Sequence, residues 1–161
     1  MAANKLCRVP ALLSSPSRVF RIVATAEAVT WTGLLGGMFL KYVTETTELG
    51  VSIFGMLHGI VFITYCVTTV AIAVDQRWSF GRLVAGLASS IPPLLTLWFE
   101  RHAERRGLLA PTWRLVEESP ARPLERPLAW LLRNPVRGLA TGLASVAALT
   151  VVALIAGPPV G

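Results

Sequence analysis

Four apolar stretches, residues 22–40, 51–74, 83–99 and 138–156, leave this chain few folds to choose from. A helix needs about 20 apolar residues to cross the hydrocarbon of a bilayer. A soluble bundle that buried as many would need polar surface to cover them, and a chain of 161 residues with 53% hydrophobic and 15% charged residues does not have it. The sequence predicts an all-α fold, a polytopic membrane helical bundle, with a three-span core and a C-terminal fourth span. The third stretch is the shortest and carries Pro92 and Pro93. It is expected either to cross with a kink at these prolines or to turn there and return to the face it entered, the kinked crossing being favoured.

Around the spans, residues 1–17 read as a disordered basic N-terminal tail, 18–108 as the three-span membrane core, 109–137 as an Arg/Pro-rich linker with a short interfacial segment at Trp130, and 138–157 as the fourth helix, stopped at Gly157-Pro158-Pro159. The tail lacks the sustained apolar core of a signal peptide, so the first span is expected to stay. Cys7 and Cys66 are expected as free thiols, with no metal-type spacing. The net charge of +6 comes almost wholly from arginines in the segments flanking the spans. That distribution suits a bilayer with anionic head groups, and no nucleic-acid motif accompanies it. Four full crossings from a cytoplasmic N-terminus place six Lys/Arg inside and nine outside, against the positive-inside tendency, whereas a re-entrant third segment puts every basic residue except Lys41 inside.

Ionisable groups in hydrocarbon cost roughly 2.5 to 3.5 kcal/mol each on insertion scales and so face protein or water. Glu27 in the first span and His58 in the second are therefore singled out. At about 1.5 Å per residue, Tyr65 comes level with Glu27, while His58 lies deeper. A Glu27–Tyr65 hydrogen bond with His58 further along the same seam is expected, either as a polar bolt fixing register or as part of a proton or ligand path. Gly33/Gly37 and Gly55/Gly59 match in depth too, which predicts close packing of the first two spans through them. His102, among arginines and glutamate, is expected to be solvated.

No catalytic set is visible: the spans hold no paired acids, no nucleophile stands at a recognised spacing from a base, and no phosphate loop follows a strand. A single membrane histidine is weak support for haem. No catalytic, cofactor or metal residues are assigned. A non-enzymatic accessory or assembly subunit of the plasma membrane is expected, with a membrane-protein partner or a second copy, the alternative being a small proton-coupled transporter using Glu27 and His58.

The segments AEAVTWTGLLGGMFLKYV (26–43), GVSIFGMLHGIVFITYCV (50–67), RWSF (77–80) and SSIPPLLTLWFERHAERRG (89–107) carry a resemblance. Glu27, Lys41-Tyr42, His58-Gly59, Phe62, Tyr65 and Pro92 are its features, with Leu94 departing from an expected aromatic. In residues 18–108 the chain resembles the YdzA-like family of small bacterial integral-membrane proteins of unknown function, especially its actinobacterial members. The resemblance implies membrane location and a three-span core, and no activity.

Overall fold

The computed structural model describes residues 15–157, in which seven helices and no strands occur. The tail expected at residues 1–17 lies outside the described residues up to position 14, as do Cys7 and the prolines after Gly157. Helix α1 (Pro16–Tyr42) opens with a Ser15 hydroxyl accepting from the Arg18 N–H at 3.3 Å and proline at its first turn. α2 (Leu49–Asp75) runs back beside it after a short loop closed by Lys41 and Glu48 at 3.4 Å. Then come α3 (Phe80–Ala88), α4 (Leu95–Arg105), the single turn α5 (Arg114–Glu117), α6 (Glu125–Arg133) and α7 (Pro135–Ala156), which ends at Gly157 with φ 73°.

The third apolar stretch is broken. Pro92 and Pro93 cannot continue a helix, and Leu94 takes a left-handed φ of 68°. The contacts along the two arms give their direction. On the way in, Trp78 meets Phe20 edge-on at 6.2 Å, the Gly86 carbonyl accepts from Tyr65 at 3.1 Å, and the Ser90 carbonyl accepts from the Trp31 indole at 3.2 Å. On the way out, Thr96 lies level with Glu27, Phe99 with Phe20 at 6.1 Å, and Glu100 and Glu104 with Arg21. Trp78 then donates to the Leu108 carbonyl at 2.9 Å, which brings the two ends of the hairpin together. The favoured kinked crossing is thus replaced by a re-entrant pair of helices. The physical reason is the count of backbone groups at the bend. Two prolines bring no N–H, and Ser89 and Ser90 hydroxyls donate to the Gly86 and Leu87 carbonyls at 2.7 and 2.6 Å, so a bend inside the bilayer leaves little backbone unpaired.

The core sits at one end of the bundle, where Phe20, Tyr65, Trp78 and Phe99 interlock among Ala24, Ile72, Ala103 and Leu109. Three of its ring pairs are edge-to-face, the arrangement that aligns positive ring edges with negative faces. Among the described residues, helices α1, α2 and α7 are the ones long and apolar enough to cross a membrane. With the hairpin re-entrant, all twelve described arginines lie toward the core end, and Lys41 is the one described basic residue at the other. The charge imbalance of four crossings disappears.

The glycines pack differently from the depth-matched expectation. A Cβ built on Gly37 would lie 2.5 Å from the Gly50 carbonyl carbon, and one on Gly33 would overlap the Phe54 ring. Gly55 is reached only by a Leu34 methyl at 3.9 Å, and Gly59 faces open space. The helices approach most closely next to their connecting loop, at Gly37 and Gly50. Depth arithmetic along ideal helices fixes level but not azimuth, and azimuth decides which residues face the partner.

Candidate functional site

Glu27, Thr30 and Trp31 lie on one face of α1, at the tip of the hairpin. Glu27 is wholly buried. Its Oε2 accepts from the Thr96 hydroxyl of α4 at 2.8 Å, and its Oε1 has no hydrogen-bond partner. The Trp31 indole, one turn further along α1, donates to the Ser90 carbonyl at 3.2 Å. Trp31 also packs on His58 of α2, with ring centroids 4.6 Å apart. The Thr30 hydroxyl donates to the Glu27 carbonyl at 2.9 Å and stands 3.3 Å from His58 Nδ1. With that hydroxyl proton committed, Thr30 is the acceptor and His58 Nδ1–H the donor of this contact.

The two polar residues expected to meet do not. Tyr65 is wholly buried, but its hydroxyl donates to the Gly86 carbonyl at 3.1 Å and lies 3.0 Å from the Ser89 hydroxyl. The Tyr65 ring packs on Phe20, with ring centroids 5.5 Å apart, about two turns of α1 before Glu27. The hairpin stands between their preferences: α4 supplies the partner for Glu27 and α3 the partner for Tyr65. His58 does adjoin Glu27 along α1, through Trp31 and Thr30. Because Ser89 already donates to Gly86, Tyr65→Phe is expected to cost only about 0.6 kcal/mol, the average of membrane hydrogen bonds, measured as a small fall in unfolding midpoint in detergent. His102 is half-buried and stacks on the exposed Trp98 at 5.2 Å.

A second polar cluster, at the core end, was not legible from spacing. Asp75, at the last turn of α2, is wholly buried and accepts from the N–H groups of Arg114 at 3.2 Å and Leu115 at 3.0 Å, and from the Gln76 amide. Glu125 of α6 accepts from Arg77 and Arg114 at 3.0 Å each and from the Ala121 N–H at 2.8 Å. The Arg77 guanidinium foremost, with the Ala121 and Arg122 N–H groups and Arg114, overcomes burial and holds the Glu125 carboxyl down at about 2. A depressed carboxyl stabilises the fold fully above its unfolded value of about 4.3 and loses that contribution as pH falls through about 2. These pairs fold the linker against the end of α2. Among the described residues no group of three or more His, Cys, Asp or Glu could hold a metal ion.

Residues 17–105, more than half of the chain, match the family model described as a domain of unknown function, DUF3817. The chain belongs to the DUF3817 family. A relative from Streptomyces coelicolor, named "Putative membrane protein SCO5905", is 50% identical over 93 residues, which make up 57% of this chain and 11% of that protein. The chain therefore spans about a ninth of the length of this relative. No solved structure matches. Membrane helices and a family without established activity agree with each other: this is a multi-pass membrane protein. The DUF3817 match takes in Glu27, Trp31, His58, Tyr65 and both arms of the hairpin, and it ends at Arg105. Asp75 and Arg77 are in the DUF3817 part, whereas Arg114 and Glu125, which bind them, are in the segment that follows.

Proposed function

We propose that this DUF3817 chain is a non-enzymatic integral subunit of the plasma membrane, an accessory or assembly element for a larger membrane protein or for further copies of itself. The observation that carries this reading is α7. None of its 22 residues is buried, although it begins locked to α6 where a Cβ on Gly138 would strike the Leu131 carbonyl oxygen at 2.5 Å. Such a helix, held by α6 at its start and touching α2 along one side, still has a long apolar side left for a neighbour. The Streptomyces coelicolor relative supports the same reading, because there the matched stretch accompanies a much longer polypeptide. The resemblance to YdzA-like small membrane proteins in residues 18–108 is in keeping with it. Purification in mild detergent followed by mass spectrometry is expected to recover a stoichiometric partner or a dimer. A monomer that migrates alone at every protein concentration contradicts the proposal.

A second reading, a small proton-coupled transporter, is favoured by one observation: a buried acid with a bare oxygen beside a broken re-entrant element. Interrupted helices and intramembrane acids line many ion and substrate paths. Reconstituted protein is then expected to show a pH-dependent flux that Glu27→Gln abolishes. Unchanged flux in that variant removes this reading.

A further inference from the structure

The unpartnered Oε1 of Glu27 is the one buried side-chain oxygen or nitrogen without a hydrogen bond among the described residues. It lies at the start of α4, an 11-residue helix whose N-cap, Leu94, offers no capping side chain. Thr96, in the first turn of α4, is the link between the carboxyl and that helix end, and its hydroxyl also lies 3.4 Å from the Ala24 carbonyl. A carboxylate facing a helix N-terminus is favoured by the helix dipole. One donor is nevertheless poor solvation for a full charge sealed from water.

We infer that Glu27 is a proton-exchange site whose occupancy sets whether the hairpin arm α4 stays docked on α1. A sealed oxygen can take a proton without any added volume, whereas a metal ion or organic ligand cannot reach it until the hairpin moves. With α4 aside, a hydronium ion transfers its proton to the carboxylate, an O–H bond forms, and water is released. The carboxyl is then neutral, and α4 docks on it without burying a charge. When the proton leaves to water, the carboxylate keeps Thr96 alone as a donor, and it is solvated only when α4 swings aside and admits water. The groups that face Glu27 leave it as the switch. On α1, Arg21 is engaged by Glu100 and Glu104 of α4. On α2, His58 lies behind Trp31, and Tyr65 and Cys66 act on Glu27 only at a distance. On α3, Ser89 and Ser90 bring hydroxyls and no charge. The latch goes beyond both readings above, since it would open a partner surface or a path alike, and its test follows hairpin position and not flux.

The test uses the full chain in liposomes, with Cys7→Ser and Cys66→Ser as background and Ser90→Cys as reporter at a position 1% exposed. Maleimide labelling rates at pH 6 and pH 8.5 are compared with and without Glu27→Gln, a neutral isostere; both proteins share the titration of the reporter thiol. The rise in rate with pH is expected to be at least tenfold greater with Glu27 in place than in the Glu27→Gln variant. Equal pH dependence in the two overturns the inference. Hydrogen exchange of residues 89–97 in the otherwise unaltered chain gives an independent reading if the cysteine variant does not fold. The same Glu27-dependent step is expected there, and its absence likewise overturns the inference. His58→Gln is expected to keep the step; its loss in that variant alone reassigns the switch to His58 and contradicts the claim for Glu27.

Discussion

Gly37→Leu is expected to prevent α1 and α2 from closing and to yield no stable folded protein, with Gly37→Ala already costing about 1 to 3 kcal/mol in an unfolding titration. The neighbours of a new Cβ at Gly37 are the Gly50 carbonyl carbon at 2.5 Å and the Val51 nitrogen at 2.7 Å, both backbone. Backbone cannot swing aside as a side chain does, so the helices themselves must separate. At Gly33 the clash is with the Phe54 ring, which can turn, and the loss is expected to be smaller. Gly59→Ala meets nothing within 4 Å and is expected to fall within about 0.5 kcal/mol of the parent protein. Equal losses at Gly37 and Gly59 would contradict the observed approach of the two helices.

The second large effect belongs to Asp75. Asp75→Ala strips the acceptor from two backbone N–H groups at the start of α5 and leaves the Gln76 amide without it. Each buried donor left bare costs about 1 to 3 kcal/mol, so a total of about 3 kcal/mol is expected, read as a lower unfolding midpoint. The linker should also come away from the end of α2 at neutral pH and become open to trypsin at the Arg114–Leu115 bond, which Asp75 holds in the parent protein. In the parent protein acid is expected to release it only as pH falls through about 2, where Glu125 takes up its proton. Undiminished trypsin resistance in Asp75→Ala would show that the linker is held by other contacts.

Helical content and the position of three spans were legible because length and apolarity are carried by single segments. Glu27 and His58 stood out for the same reason: a lone ionisable group in an apolar run is visible without knowing its neighbours. The partners of Glu27 and Tyr65 were not legible, because Thr96 and Ser89 come from a hairpin whose sense depends on backbone pairing at Ser89, Ser90, Pro92 and Pro93. Asp75 and Glu125 were missed since acids at span ends and in arginine-rich linkers look solvated in sequence. Their burial follows from a tertiary contact across 39 and 48 residues, to Arg114 from Asp75 and to Arg77 from Glu125. The basic residues did carry a signal of the hairpin, since only the re-entrant arrangement gathered all of them but Lys41 on one face.

That arrangement is most directly tested by single cysteines at Thr46, Ser79 and Arg106 in the Cys7→Ser, Cys66→Ser background, labelled with a membrane-impermeant maleimide in intact and then permeabilised bacterial cells. The re-entrant hairpin predicts that Ser79→Cys and Arg106→Cys behave alike, both protected until permeabilisation, while Thr46→Cys is labelled from outside. Labelling of Arg106→Cys together with Thr46→Cys in intact cells, with Ser79→Cys protected, would mean that the third segment crosses the membrane and would contradict the fold described above.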